Sequence, residues 1–173
     1  MTIAAILGLM IIGILVYASA KADTMNIQRA EEIKAPPSRV FALINDLHNW
    51  PAWSEQDTAD STIQRTFSGT SSGKGSISEW VGTGKAGKGR MEITESIAPS
   101  RIIVKVDFEK PFLAHNINEF ALEPHGEMTT VTWAWHGTTP YVLKVMSVFL
   151  NMDRFMGKHF ETGLDSLKML SEK

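Results

Sequence analysis

The chain has 173 residues, of which 43% are hydrophobic, and a formal net charge of -2 at pH 7. This length allows one domain with an appendage, and the lack of a basic excess gives no indication of a nucleic-acid partner. Because the chain contains no cysteine, disulfide bonds and thiolate metal sites are excluded.

The first 20 residues have no charged side chain, and the apolar run 3–17 is intermediate in length between a secretory signal core and a membrane span. Ala18-Ser19-Ala20 has the form of a cleavage site, but no Lys or Arg precedes the run. We therefore predict an uncleaved transmembrane helix within residues 1–24, with a cleaved signal-like segment as the alternative. A core helix is disfavoured, because a helix that is apolar on all faces needs a large protein around it.

Membrane orientation depends on the cations that flank the apolar run, and only Lys21 and Arg29 are present, with Asp23 between them. The short N-terminus and the cleavage-like end resemble an export signal. We therefore expect a single-pass membrane protein whose domain, residues 25–173, is extracytoplasmic and periplasmic.

Residues 25–34 alternate loosely between apolar and polar side chains and predict a strand that ends at Pro36-Pro37. Val40, Phe41 and Ile44 then recur at helical spacing, which predicts a short helix before the rigid turn Trp50-Pro51-Ala52-Trp53. Short alternating runs separated by Gly, Pro or Ser follow and are typical of an antiparallel meander. These six predicted strands are 63–67, 75–81, 90–97, 102–108, 115–122 and 129–136.

Residues 139–172 predict one long C-terminal helix, about 34 residues and roughly 50 Å in length. Its apolar stripe has gaps of three or four residues. The stripe consists of Tyr141, Val145, Phe149, Met152, Met156, Phe160, Leu164 and Leu167. The order of elements predicts an α+β fold in which a curved antiparallel sheet wraps around this helix.

The two halves of the predicted helix differ, because residues 141–156 are mostly apolar whereas residues 157–173 are amphipathic. Leu143, Met146 and Leu150 widen the apolar surface beyond what packing on a sheet requires. We expect them to be covered by the N-terminal helices and the Trp turn, by a membrane surface, or by a partner subunit.

Five segments of the chain carry the motifs of a known family. They are Ala35-Pro36-Pro37 with Val40-Phe41-Ala42-Leu43-Ile44-Asn45-Asp46, Trp50-Pro51-Ala52-Trp53-Ser54, Gly87-Lys88-Gly89-Arg90-Met91, Val131-Thr132-Trp133, and residues 149–164 with Met152-Asp153 and Phe160-Glu161. With these segments, residues 26–173 resemble the START-like, Bet v 1-like helix-grip superfamily (SRPBCC), in its polyketide cyclase/dehydrase-like branch.

The resemblance implies seven strands that grip the C-terminal helix, with an apolar cavity for a lipid, sterol, quinone or polyketide-like molecule. It carries over no catalytic residue, and we expect no cofactor. We expect the ligand-binding residues to lie on the concave sheet face, the Trp turn and the first half of the helix. They are Trp53, Trp80, Val104, Val106, Phe108, Trp133, Tyr141, Val145, Phe149, Met152 and Met156.

The leading functional hypothesis is a membrane-tethered module that binds a hydrophobic small molecule and catalyses no reaction. A cyclase or dehydratase is one alternative, suggested by the family label alone. An accessory subunit whose N-terminal segment docks into a membrane protein complex is another.

Three further patterns are weaker. Residues 82–87 match G-x-G-x-x-G, but a strand rather than a helix follows, so we predict a hairpin turn rather than a phosphate site. His115 and His136 could meet across the sheet as a polar pair in the cavity, whereas no histidine spacing indicates a metal site. Asp153 and Arg154 favour a solvated ion pair with Lys144 or Glu161 over a polar anchor at the cavity mouth.

Overall fold

The structure is a computed structural model that describes residues 2–54, 60–84 and 86–173. Helix α1 (Thr2–Ser19) precedes strand β1 (Thr24–Ile33), and α2 (Pro37–Asn45) and a 3-10 helix (Leu47–Ala52) follow it. The remaining strands are β2 (Gln64–Gly69), β3 (Ser76–Val81), β4 (Lys88–Ile97), β5 (Arg101–Lys110), β6 (Ala114–His125) and β7 (Met128–Thr138). The chain ends with helices α3 (Tyr141–Met146) and α4 (Met152–Ser171).

All seven strands form one antiparallel sheet in the order β1-β7-β6-β5-β4-β3-β2. The consecutive strands β2 to β7 form the predicted meander, and β1 pairs with β7. His125 pairs with Met128, so two residues connect β6 to β7. The first of them is Gly126 with φ +64, a conformation that tight hairpin turns require and that glycine adopts without steric cost. The α+β fold with a seven-stranded sheet and a C-terminal helix is confirmed.

The core lies between one face of the sheet, which we call the inner face, and helices α2 and α4. Alternation along each strand places one set of side chains on this face. Along β7 the buried residues are Thr129, Val131, Trp133, Trp135 and Gly137, and along β6 they are Asn116, Asn118, Phe120 and Leu122. Leu164 and Leu167 of α4 are at most 1% exposed, so α4 is the helix that the sheet grips.

The C-terminal helix is not continuous, and the prediction of one helix over 139–172 is wrong. Asn151 has an extended backbone, and its side chain accepts a hydrogen bond from the Arg154 amide, which starts α4 as a separate helix. Lys144 and Ser147 form hydrogen bonds with Lys21, in the segment after α1, and not with the sheet. Lys144 Nζ donates to the Lys21 carbonyl at 3.0 Å, and Lys21 Nζ donates to the Ser147 carbonyl at 2.7 Å.

The prediction of a transmembrane helix is not supported. Among the helices in the described part of the chain, none is long and apolar enough to cross a membrane. Helix α1 has 18 residues, which corresponds to roughly 27 Å against a hydrocarbon core of about 30 Å.

Candidate ligand-binding site

Apolar side chains form a wall on the inner face of the sheet, and a group of aromatic side chains lies at each end of this wall. Trp80 of β3 and Phe108 of β5 meet edge to face with ring centroids 5.3 Å apart. Toward the other end, Trp133 of β7 lies between Trp53, at 5.8 Å, and Phe160 of α4, at 4.5 Å. Offset and edge-to-face pairs at these distances each add about 0.5–1.5 kcal/mol to the burial of the rings.

Two asparagines interrupt this wall along β6. The Asn118 side chain is 6% exposed, and its Oδ1 accepts a hydrogen bond from Trp133 Nε1 at 2.8 Å. The Asn116 side chain is 3% exposed, and its Oδ1 has no hydrogen-bond partner among the described residues. The Nε1 of Trp53 is also buried without a partner there. The space between sheet and helix is therefore apolar and aromatic with a few polar atoms at fixed positions, the composition that small-molecule sites share.

The predicted cavity is filled by side chains at its Trp133 end. Trp53, Phe120, Trp133 and Phe160 pack against one another with centroid distances of 4.5 to 6.2 Å. Two open depressions, of about 310 and 250 Å³, lie outside this core. The second is lined by outward-facing residues of β1, β6 and β7, namely Gln28, Glu119, Ala121, Thr132, Ala134 and His136.

The sequence-predicted ligand residues fall into three groups by exposure. Trp53, Trp80, Val104, Val106, Trp133 and Met152 are buried, and Phe108, Val145 and Met156 are partly buried. Tyr141 and Phe149 are 48% and 68% exposed. The last two therefore belong to the outer surface, because α3 separates from α4 and does not continue along the sheet.

Exposed apolar side chains from two segments lie at the end of the sheet where β7 finishes. The His115 amide donates to Thr138 Oγ1, so the β5–β6 loop adjoins the end of β7. The Tyr141 hydroxyl donates to the Leu15 carbonyl at 2.9 Å, which places α3 beside α1. We call the exposed apolar residues of the loop and the α3 region the apolar end; they are Phe112, Leu113, Tyr141, Val142, Met146, Phe149 and Leu150.

Helix α1 extends this surface. Its large apolar side chains are 40% to 74% exposed and point in all directions around the helix. They are Ile3, Ile6, Leu7, Leu9, Met10, Ile11, Ile12, Leu15, Val16 and Tyr17.

The G-x-G-x-x-G segment is a hairpin connection between β3 and β4, and its polar groups bind a carboxylate of the same chain. Asp60, which is 7% exposed, accepts hydrogen bonds from the Ala86 amide at 3.0 Å and from the Thr62 amide at 3.0 Å. A Cβ at Gly84 would lie 2.6 Å from an Asp60 oxygen, so the glycine permits this approach. The loop thus holds an anion, as phosphate-binding loops do, but the anion is its own Asp60.

Hydrogen bonding from the Thr62 hydroxyl, and then from the Ala86 amide, lowers the pKa of Asp60 below its ordinary value. The Thr62 hydroxyl lies 2.6 Å from Asp60 Oδ1. The sequence motif therefore has a structural role at this position.

The proposed histidine pair in the cavity is wrong. His115 and His136 lie on the outer face and are exposed. The ring of His115 bonds to Asp107 at 2.7 Å, and that of His136 to Asn26 at 3.0 Å. Within the described ranges, no group of three His, Cys, Asp or Glu side chains could hold a metal ion.

Asp153 does not form an ion pair with Lys144, and it is not a polar anchor at a cavity entrance. It forms an ion pair with Arg29 of β1 at 3.1 Å, and Glu161 pairs with the same guanidinium at 2.7 Å. The Arg29 side chain lies against the helix backbone at Gly157, where a Cβ would be 1.8 Å from its Nη2. These contacts fasten the start of α4 to β1.

Sequence reasoning missed Asn116, Asn118, Arg29 and Gly157. A signal for the asparagines was present, because they share the alternation phase of the apolar residues Phe120 and Leu122. Polar residues at apolar positions of a strand indicate either a buried hydrogen bond or a binding site. The contact between Arg29 and Gly157 has no local signal, since 128 positions separate the two residues in the chain.

A family model described as "Polyketide cyclase / dehydrase and lipid transport" matches residues 24–172. No curated protein sequence matches the chain.

Solved structures resemble the chain at low sequence identity. Protein CV1439 from Chromobacterium violaceum is 15% identical with a TM-score of 0.60, and the match covers 87% of this chain and 98% of that one. The Aha1 dimer from Colwellia psychrerythraea is 18% identical with a TM-score of 0.60, covering 86% and 96%. Hypothetical protein jhp0584 from Helicobacter pylori is 10% identical with a TM-score of 0.65, covering 90% and 92%. These likenesses support the fold.

Proposed function

Since the chain belongs to the polyketide cyclase / dehydrase and lipid transport family, we propose that it binds a hydrophobic small molecule between the inner face and the C-terminal helices. We further propose that it does so at a membrane surface and without chemistry of its own. The observation that carries the proposal is the space between the inner face and the helices. Aromatic and aliphatic side chains there surround Asn116 Oδ1 and Trp53 Nε1, which have no hydrogen-bond partner among the described residues.

The buried polar side chains of the inner face favour binding over acid-base catalysis. They are the hydroxyls of Ser76, Ser78 and Thr129 and the amides of Asn116 and Asn118. Hydroxyls and amides hold a ligand by hydrogen bonds but do not exchange protons near neutral pH.

Association with a membrane surface is supported by the apolar end and α1. The exposed apolar groups come from a loop, from α3 and from a helix that is apolar around its whole circumference. A single protein partner covers one side of such a helix, whereas lipid can surround it. Fully burying one large apolar side chain is worth about 1.5–3 kcal/mol, so several residues suffice for stable association.

The ligand hypothesis is tested by purifying the full-length protein under mild conditions and identifying the extracted small molecules by mass spectrometry. We expect an amphipathic or apolar molecule in near-stoichiometric amount. Its absence, together with failure of the protein to take up lipid from vesicles, would contradict the hypothesis. Conversion of an added polyketide-like substrate would favour a cyclase or dehydratase, and a stoichiometric co-purifying protein would favour the accessory-subunit alternative.

The membrane hypothesis is tested by flotation of the full-length protein with phosphatidylcholine vesicles. The double variant Leu113→Gln/Phe149→Gln removes one apolar side chain from the β5–β6 loop and one from the α3 region, and both are exposed. We expect it to bind vesicles at least about five-fold more weakly while it melts like the wild type.

The matched control is Ile97→Gln/Met169→Gln, which changes two exposed apolar residues, 50% and 62% exposed, at the opposite end of the molecule. Ile97 adjoins the β4–β5 turn, and Met169 lies in the last turn of α4. We expect this variant to bind like the wild type. Equal losses in both variants would show that general apolarity, rather than the apolar end, governs association.

A further inference from the structure

Asn116 lies on the inner face, and its side chain covers a glycine of the neighbouring strand. It pairs across the sheet with Val106 on β5 and with Gly137 on β7. A Cβ at Gly137 would lie 2.0 Å from Asn116 Oδ1 and 2.6 Å from the Trp135 ring. The amide and the indole therefore share the space above a glycine, and any other residue at position 137 would displace them.

The Asn116 side chain is buried, and its Oδ1 has no hydrogen-bond partner among the described residues. Leaving such a group unsatisfied costs about 1–3 kcal/mol, so buried polar groups without partners are rare in proteins. Asn118, two residues further along the same face, is bonded to Trp133, so this sheet can satisfy an amide where no ligand is needed.

We infer that Asn116 is the polar recognition point of the ligand site and that it binds a neutral hydroxyl group on an otherwise apolar ligand. This inference rests on the proposed function and adds the chemistry of the ligand. An amide both donates and accepts hydrogen bonds, and so does a hydroxyl, so the two groups can satisfy each other.

A charged ligand group does not fit this position. Asn116 pairs with Val106 and Gly137 on the adjacent strands, and Asn118 and Trp135 lie beside it on the inner face; all four are uncharged. Arg29, on the inner face of β1, is paired with two carboxylates of α4, and Arg65, on the same face of β2, donates to Ser78 Oγ at 3.0 Å. A carboxylate or ammonium group bound at Asn116 would be buried without a counter-charge. The free-energy cost of burying such a charge exceeds the stabilisation from a hydrogen bond to one amide.

The experiment compares two fluorescent probes that differ by one hydroxyl, 2-naphthol and naphthalene, on the full-length protein. We expect the wild type to bind 2-naphthol about five-fold more tightly or better, the gain of one buried hydrogen bond. The variant Asn116→Leu should bind naphthalene as the wild type does and lose the preference for 2-naphthol. It should also melt at or above the wild-type temperature, because the unsatisfied amide is gone.

The matched control is Asn26→Leu, the same change on the exposed outer face of β1; it should keep the preference. If Asn116→Leu does not fold, Asn116→Ala replaces it with the same expectation for the two probes. The inference is overturned if the wild type shows no preference, if the Asn116 variants retain it, or if they lose both probes equally.

The two proposals fail in different ways. If lipid is extracted from the protein but the protein does not distinguish 2-naphthol from naphthalene, the proposed function stands and the role of Asn116 is excluded. If the protein carries no lipid and binds neither probe, both the proposed function and the role of Asn116 are excluded.

Discussion

The carboxylate of Asp60 explains why a glycine-rich segment resembles a nucleotide-binding motif without acting as one. Its Oδ2 accepts from the Ala86 amide of that segment, and its Oδ1 accepts from the amide and hydroxyl of Thr62, which lies outside the segment. The loop is also tied to the core, because Trp80 Nε1 donates to the Ala86 carbonyl at 3.0 Å. One acidic residue therefore orders the β3–β4 connection beside the inner face.

This arrangement predicts a pH-dependent contribution of Asp60 to stability. Because the folded pKa is lowered, mainly by the Thr62 hydroxyl, the stabilisation is present above the unfolded pKa of about 3.9 and is lost as the pH falls through the folded value. We expect Asp60→Asn to melt below the wild type at pH 7, and we expect this difference to shrink as the pH falls below about 4. Thermal melts between pH 3 and 7 measure this difference.

Glu127→Gln provides the control, since Glu127 is an exposed carboxylate in the β6–β7 turn. It should melt like the wild type across the range. A constant gap between Asp60→Asn and the wild type from pH 3 to pH 7 would show that the charge of Asp60 is not what the loop binds.

At the scale of elements, α4 is held against β1 by a charged contact rather than by apolar packing alone. Arg29 reaches across Gly157 to Asp153 and Glu161, and these hydrogen bonds raise the pKa of its guanidinium further above its ordinary value. Glycine in the middle of a helix is normally unfavourable by about 0.5–1 kcal/mol relative to alanine. Its presence here is explained by the guanidinium that lies on the helix backbone.

We therefore predict that the effect of Gly157→Ala depends on Arg29. In the wild type the added Cβ displaces a guanidinium held by two carboxylates, and the melting temperature should fall. In an Arg29→Ala background the same change should raise it, because only the helix propensity remains. A double-mutant cycle by thermal or urea unfolding measures this reversal. The same sign in both backgrounds would contradict the contact.

The break between α3 and α4 is the second feature at this scale. Residues 141–151 have enough apolar character to continue a helix over the sheet, yet α3 is attached to the segment after α1 through Lys21 and Asp23. The local sequence favours helix on both sides, and contacts with residues more than 120 positions away set the direction of the chain between them.

At the scale of the whole molecule, the sheet and α4 form a closed core, whereas the apolar end projects from it. Segments that bury little apolar surface open at low free-energy cost, and core strands open only with global unfolding. We predict that amides of 143–150 exchange with deuterium faster than those of β6 and β7. Phosphatidylcholine vesicles should slow exchange at 143–150 and 112–113.

The β4–β5 turn, residues 98–100, lies at the other end of the sheet and serves as the internal control in the same exchange experiment. Its exchange should not change with vesicles. Slower exchange throughout the chain would indicate general stabilisation by lipid, and no change at 143–150 would contradict membrane contact at the apolar end.

Local sequence patterns were enough to predict the seven strands and their order along the chain. Alternation in runs such as Ile102, Val104 and Val106 is a local pattern, and the turns between the strands have glycine, proline or serine at short range. The motif segments, which are also local, indicated the family. The alternation phase placed Trp80, Val104, Val106 and Trp133 on one face, where the structure finds them buried.

Tertiary packing sets where the helix breaks, which anion the glycine loop holds, what lies on Gly157, and that Asn116 Oδ1 has no hydrogen bond among the described residues. Each depends on groups that meet from distant parts of the chain: Lys144 with Lys21, Asp60 with Ala86, Arg29 with Asp153, and Asn116 with Gly137. Local periodicity records which face of an element is apolar, but it contains no information about which polar groups will find partners once the faces are packed together.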